Sequence, residues 1–175
     1  MMTRDEIINK LETNYKLFVD FMLLLGEKDF MYAPAGKWTA GQQLDHITRA
    51  VSPLATGLRL PKFIIRLSFG RANRSSKSYD DLVKKYLAKL ERGDRASGRF
   101  IPVKIEPQQK EKSINKLLKL ITLLVRNIEH YSEKQLDAYI LPHPLLGKLT
   151  IREMMYFTIY HAEHHLKQAK KNMAG

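Results

Sequence analysis

The sequence predicts an all-α protein, a four-helix bundle with extra short helices and loops between the second and third long helices, in one domain over residues 1–175. Three observations carry this. Apolar residues recur at three- and four-residue steps in four long stretches, the spacing that gathers them on one helix face. Three of those stretches open on a Thr followed three residues later by Glu or Gln, so that each side chain can satisfy a backbone N–H of the other at a helix start. No stretch sustains the alternation of apolar and polar residues that marks a half-buried strand.

Thr3 and Glu6 open a helix over roughly Arg4 to Leu25, with Ile7, Leu11, Tyr15, Phe18 and Met22 inward and Gly26 as the left-handed residue ending it. After a loop through Pro34 and Gly36, Thr39 and Gln42 open the second helix, with Trp38 as the apolar residue before it. This helix turns Leu44, Ile47 and Val51 inward with His46 beside them. Pro53, which lacks an N–H and crowds the carbonyl four residues back, is expected to end or kink it. Leu60 to Leu67 reads as a short amphipathic helix that either lines the mouth of a site or lies on a membrane surface. Gly70 to Ser78 is a basic, serine-containing loop, and Ser78, with Asp80 and Asp81 in the first turn, caps a helix to Leu90. Arg92 to Lys110, with two Gly and two Pro, reads as a connector. Ile114, Leu117, Ile121, Leu124 and Ile128 mark the third long helix, and Ser132 to Leu136 a further turn. Pro142 to Gly147 is a tight connector into the last helix, which Thr150 and Glu153 cap and which runs to about Asn172.

A chain of 175 residues buries about 70% of its unfolded surface, enough to hold a polar site without covalent staples. The absence of cysteine excludes a disulfide framework, a thiolate nucleophile and a thiolate-ligated metal, and makes a reducing cytoplasm the expected compartment. The N-terminus has no apolar leader, and no run approaches the ~18 apolar residues of a membrane span. The net charge of +12 is spread along the chain, densest from Arg59 to Lys77, and no nucleic-acid motif accompanies it. It reads as a solvated basic surface with no specific nucleic-acid partner.

Chemistry concentrates in Tyr160-His161-Ala162-Glu163-His164-His165-Leu166-Lys167-Gln168. His161 and His165, four apart, stand one turn above each other beside the buried stripe of Ile151, Met155, Thr158, Ile159, Ala162, Leu166 and Ala169, at a spacing that lets two imidazoles share one metal ion. His164 points further out. Asp45 and Glu163 project about 100° away from the neighbouring histidines, so neither is an evident general base.

Trp38-Thr39 followed by His46, the Pro-His-Pro and Gly-Lys-Leu-Thr lead-in, and His161 with His165 and Gln168 together resemble the DinB-like superfamily. The resemblance implies a four-helix bundle holding a divalent metal through one histidine of the second helix and two of the fourth, here His46, His161 and His165. Taken alone, His46 would read as a hydrogen-bonded core residue; the inward pair reverses that reading. Three imidazoles leave positions open for water or substrate and suit zinc or nickel, as well as iron or manganese. Gln42, Gln43 or Gln168 would orient the ligating rings through their second nitrogens. His164 and His143 are assigned to the surface or to supporting the site, His130 to a helix end, and Trp38 to packing.

Members of the superfamily with known activity include S-transferases using low-molecular-weight thiols such as bacillithiol and mycothiol, and a thiol-dependent isomerase. The resemblance therefore implies a metal-dependent thiol S-transferase acting on a small electrophile, with the basic stretch from Arg59 to Arg74 favouring an anionic cofactor. A metal-dependent hydrolase and a non-catalytic, stress-associated metal-binding bundle are the alternatives. A homodimer is expected, supported by apolar residues such as Phe21 and Phe157 at helix flanks.

Overall fold

Local capping chemistry sets where the long helices begin. In the computed structural model, which describes residues 1–174, Thr3 Oγ1 accepts from the Glu6 N–H while Glu6 accepts the Thr3 N–H at 2.7 Å, opening α1 (Arg4–Leu24). The same reciprocal pair, Thr39 with Gln42, opens α3 (Ala40–Gly57), and Thr150 with Glu153 opens α8 (Ile151–Ala174).

Between α1 and α3 the sequence expectation is corrected. Gly26 has φ −68°, not a left-handed value, and serves as N-cap of a short helix, α2 (Glu27–Met31), while Leu25 closes α1. The cause is tertiary. Phe30, fully buried, lies so close to the first turn of α3 that a Cβ on Gly41 would stand 2.9 Å from its ring.

Pro53 does not end α3, which continues to Gly57. The continuing turn buries Leu54 and Ala55 against α6 (Lys110–Glu129), and Asn127 of α6 donates to the Ala55 carbonyl at 2.7 Å. Such packing offsets the roughly 3 kcal/mol that an interior proline costs.

The four long helices α1, α3, α6 and α8 form the bundle: α1 packs on α8 and α6, and α3 on α6 and α8. Ile7, Leu11, Phe18, Leu44, Ile47, Leu117, Leu124 and Met155 are fully buried between them, each worth roughly 1.5–3 kcal/mol of transfer free energy. Two shorter helices, α4 (Lys62–Phe69) and α5 (Tyr79–Glu91), lie between the second and third long helices in sequence, and α5 covers a further side of α8. The connector after α5 contains two 3-10 turns, Gly98–Phe100 and Pro107–Gln109.

After α7 (Glu133–Ala138) the chain forms an antiparallel hairpin, β1 (Ile140–His143) with β2 (Gly147–Thr150), in the register Leu141↔Leu149 and His143↔Gly147. The segment expected as a plain connector is thus a strand pair. Four residues are too few for alternation to stand out, and Pro142 in the middle argues against a strand. Pro142 is exposed while Leu141 and His143 are buried. His143 Nδ1 accepts the N–H groups of Leu145 and Leu146 at 3.1 Å each, and Gly147 supplies the φ of +78° that the turn requires.

A buried polar cluster sits where the hairpin meets α8. Arg152, 3% exposed, donates to Asp137, to Glu133 and to the Met2 carbonyl. Beside it the Glu153 carboxylate, fully buried, accepts a bidentate pair from Arg74 at 2.6 and 2.8 Å and the N–H groups of Lys77 and Thr150. The loop expected to be merely basic and serine-containing is therefore clamped to the head of α8.

Candidate metal centre

His46 projects from the middle of α3, and His161 and His165 from successive turns of α8, into the space between the two helices. All three are buried. Their Nε2 atoms converge: His161 Nε2 lies 3.1 Å from that of His46 and 2.9 Å from that of His165. Rings that share one ion with bonds of about 2.1 Å bring their nitrogens to separations of this size.

The outward-facing nitrogens decide the tautomers. His46 Nδ1 is 2.7 Å from the carbonyl oxygen of Phe100, which can only accept, so Nδ1 carries the proton and Nε2 presents a lone pair. His165 Nδ1 donates likewise to Gln43 Oε1. A proton on His161 Nε2 could satisfy one of its two neighbours well, but not both. Added protons do not resolve this, because burial holds His46 below the ordinary histidine pKa, and holds His161 and His165 well below it. Three neutral imidazoles facing one another without an opposite charge form a donor set for a divalent cation.

Aromatic rings wall the centre. Phe157 stacks on His161 at 4.7 Å between centroids, and Trp38 lies 5.0 Å from His46 and is stacked on His165 at 6.1 Å. Above the histidines a cavity of about 1010 Å³ opens to solvent. Among the described residues no Asp or Glu lines it, whereas Lys37, Arg95 and Arg99 do.

Of the glutamines expected to orient the rings, Gln42 is spent on the Thr39 capping box, Gln43 holds His165, and Gln168 lines the cavity. His164 is half-buried, outside the converging set, with its ring 5.7 Å from that of Tyr86. Of the two places expected for His143, the surface or beside the site, it takes the second: it is buried, edge-on to Phe157 at 4.2 Å, and burial lowers its pKa to about 4. Phe157 is likewise interior, so it offers no flank to a second copy. Asp45 is paired with Arg49 and accepts the Val103 N–H, and Glu163 is paired with Lys167.

The basic stretch is also placed differently from expectation. Lys62 donates to the His130 carbonyl and Gln135, and Arg74 is held by Glu153, so the cations at the cavity are Lys37, Arg95 and Arg99 instead. Two contributors escaped the sequence reading. The Phe100 carbonyl reaches His46 from an irregular connector with no side-chain signature. Tyr86, on α5, closes one wall of the cavity, and only its place on the inner face of an amphipathic helix hinted at it.

A helical bundle with a buried three-histidine centre below an open cavity is the class that fold and geometry define. Residues 10–169 match the DinB superfamily, and the chain belongs to it. A solved structure described as the conserved protein of locus from Enterococcus faecalis shares the fold, with a TM-score of 0.61 and 14% identity over 99% of this chain and 96% of that one. No curated protein matches the chain.

Proposed function

We propose that this DinB superfamily member is a metal-dependent S-transferase that uses a low-molecular-weight thiol against a small electrophile. The observation that carries this reading is the combination of three converging neutral imidazoles with a cavity that no carboxylate of the described residues lines. His46, His161 and His165 would hold the ion, zinc or nickel being the best suited to an all-imidazole set. A divalent ion bound there supplies the positive charge that stabilises a thiol as its thiolate at neutral pH.

The chain's own residues supply the remainder. The Phe100 carbonyl and Gln43 keep two rings in the tautomer that presents Nε2. Trp38 and Phe157 exclude water from one side of the centre, and Lys37, Arg95 and Arg99 favour an anionic ligand in the cavity. Hydrolysis needs a group that takes the proton of water. Asp45 and Glu163 are both committed to cations elsewhere, which favours a nucleophile that arrives as a thiol.

The test is elemental analysis of protein purified without a histidine tag, followed by cobalt loading and titration with low-molecular-weight thiols. A stoichiometric metal and a new thiolate-to-cobalt absorption band are expected. Protein that binds no divalent ion would sink the proposal, and loaded protein that ignores thiols but cleaves simple esters or amides would move the assignment to a hydrolase.

A further inference from the structure

Helix α4 shows solvent an apolar face where a surface helix should be polar. Phe63 is 63% exposed and Leu67 81%, four residues apart on one face of the helix, and Leu60, just before it, is 44% exposed, while Ile65 is fully buried. Arg66 lies on the helix beside this pair, and Arg59 and Arg71, which flank the helix in sequence, are exposed as well. None of the three takes part in an ion pair among the described residues. No Asp or Glu occurs between Asp45 and Asp80, so the segment has no acidic residue of its own to neutralise them. Lys62 and Arg74 of the same segment are engaged by Gln135 and Glu153. The arginines left over are the one on α4 and the two that flank it in sequence.

We propose that α4 docks the protein on an anionic lipid surface, with Phe63 and Leu67 entering the headgroup region and Arg59, Arg66 and Arg71 lying against lipid phosphates. This inference is independent of the metal centre. Eight residues do not hold a helix in isolation, but α4 is fixed by Ile65 and Phe69 and by packing on β1, so docking requires no ordering of the chain. A second copy is a poor occupant, because two-fold pairing of this face sets the three arginines against their own images on a chain of net charge +12. A protein partner is less apt as well, since three side chains fall far short of the roughly 800 Å² per partner that a stable interface buries. A lipid surface needs only a few apolar side chains and a matching charge. Attachment would be peripheral, as no helix among the described residues is long and apolar enough to cross a membrane. Leu60 and Phe69 also line the cavity, so the docked face adjoins its mouth.

The test is flotation of the full chain with phosphatidylcholine vesicles, with and without phosphatidylglycerol, at low and high salt. Binding to the anionic vesicles at low salt is expected. Phe63→Ser with Leu67→Ser should weaken it about tenfold or more, and Arg59→Gln or Arg66→Gln about fivefold each. Circular dichroism and thermal melting of each variant confirm that it folds. Absence of wild-type binding to anionic vesicles overturns the proposal. So does equal binding by the Phe63→Ser, Leu67→Ser variant, which would mean adsorption through overall charge. A wild-type dimer that this variant dissociates in light scattering would hand the face to a second copy.

Discussion

Helix α8 carries two buried polar clusters between two and three turns apart, and they are built on opposite rules. At its head, Arg152 and Glu153 are each surrounded by groups of opposite charge, with every strong donor matched to an acceptor. In its middle, His161 and His165 are satisfied outward or walled by rings, while inward their Nε2 atoms converge with that of His46 and meet no counter-charge. A cluster that closes on itself holds the fold together. One that brings like nitrogens together without a counter-charge is a donor set that could hold a cation.

The two clusters differ most at the histidines. His46→Ala, His161→Ala and His165→Ala are each expected to abolish stoichiometric metal binding, while the metal-free variants melt close to metal-free wild type; elemental analysis and calorimetry check both halves. Arg152→Ala should do the reverse, costing about 1–3 kcal/mol in urea unfolding because the Met2 carbonyl, Asp137 and Glu133 lose their shared donor, while metal content per folded chain holds. A variant of Arg152 that unfolds like wild type would show that the head cluster is dispensable.

Finer effects sharpen the contrast. Gln43→Ala should retain the fold but lower metal affinity by ten- to a hundredfold, read by competition with a chromogenic chelator, because His165 loses the acceptor that fixes its ring. The head cluster should also answer to pH. Burial opposes ionisation of Glu153, but the hydrogen bonds from Arg74, Lys77 and Thr150 outweigh it and hold its pKa below the ordinary 4.5. A carboxyl lower in the folded than in the unfolded chain adds stability above pH 4.5 and loses it as pH falls through the folded value. The stability gap between wild type and Glu153→Gln should therefore narrow with acidification below that point. His164→Ala, outside the converging set, should leave metal stoichiometry unchanged.

What the sequence discloses is what neighbours within a turn decide. Thr3 with Glu6, Thr39 with Gln42 and Thr150 with Glu153 are legible because both partners of each cap lie three residues apart, and His161 with His165 because four residues make one turn. What stays hidden depends on distant chain. Gly26 caps a second helix because Phe30 has a slot beside Gly41, and Pro53 stays helical because α6 packs on the turn after it. The choice of Gln43 over Gln42 follows from α8 lying 122 residues away. Glu153 is readable as a capping residue, yet its pairing with Arg74 spans 79 positions and leaves no trace in either segment.

The connector between α5 and α6 has a consequence for how this chain tolerates change. Its residues Arg99, Phe100 and Val103 are tied to three positions of α3, through Arg49, His46 and Asp45 respectively. Gly93, by contrast, turns in open space, where an added Cβ would touch nothing within 4 Å. New termini, a reporter or extra residues grafted beside Gly93 would lengthen a turn and leave the histidines where they are. The same graft between Phe100 and Val103 would pull apart two anchors that grip adjacent residues of one helix, and would unseat an imidazole from fifty-four positions away.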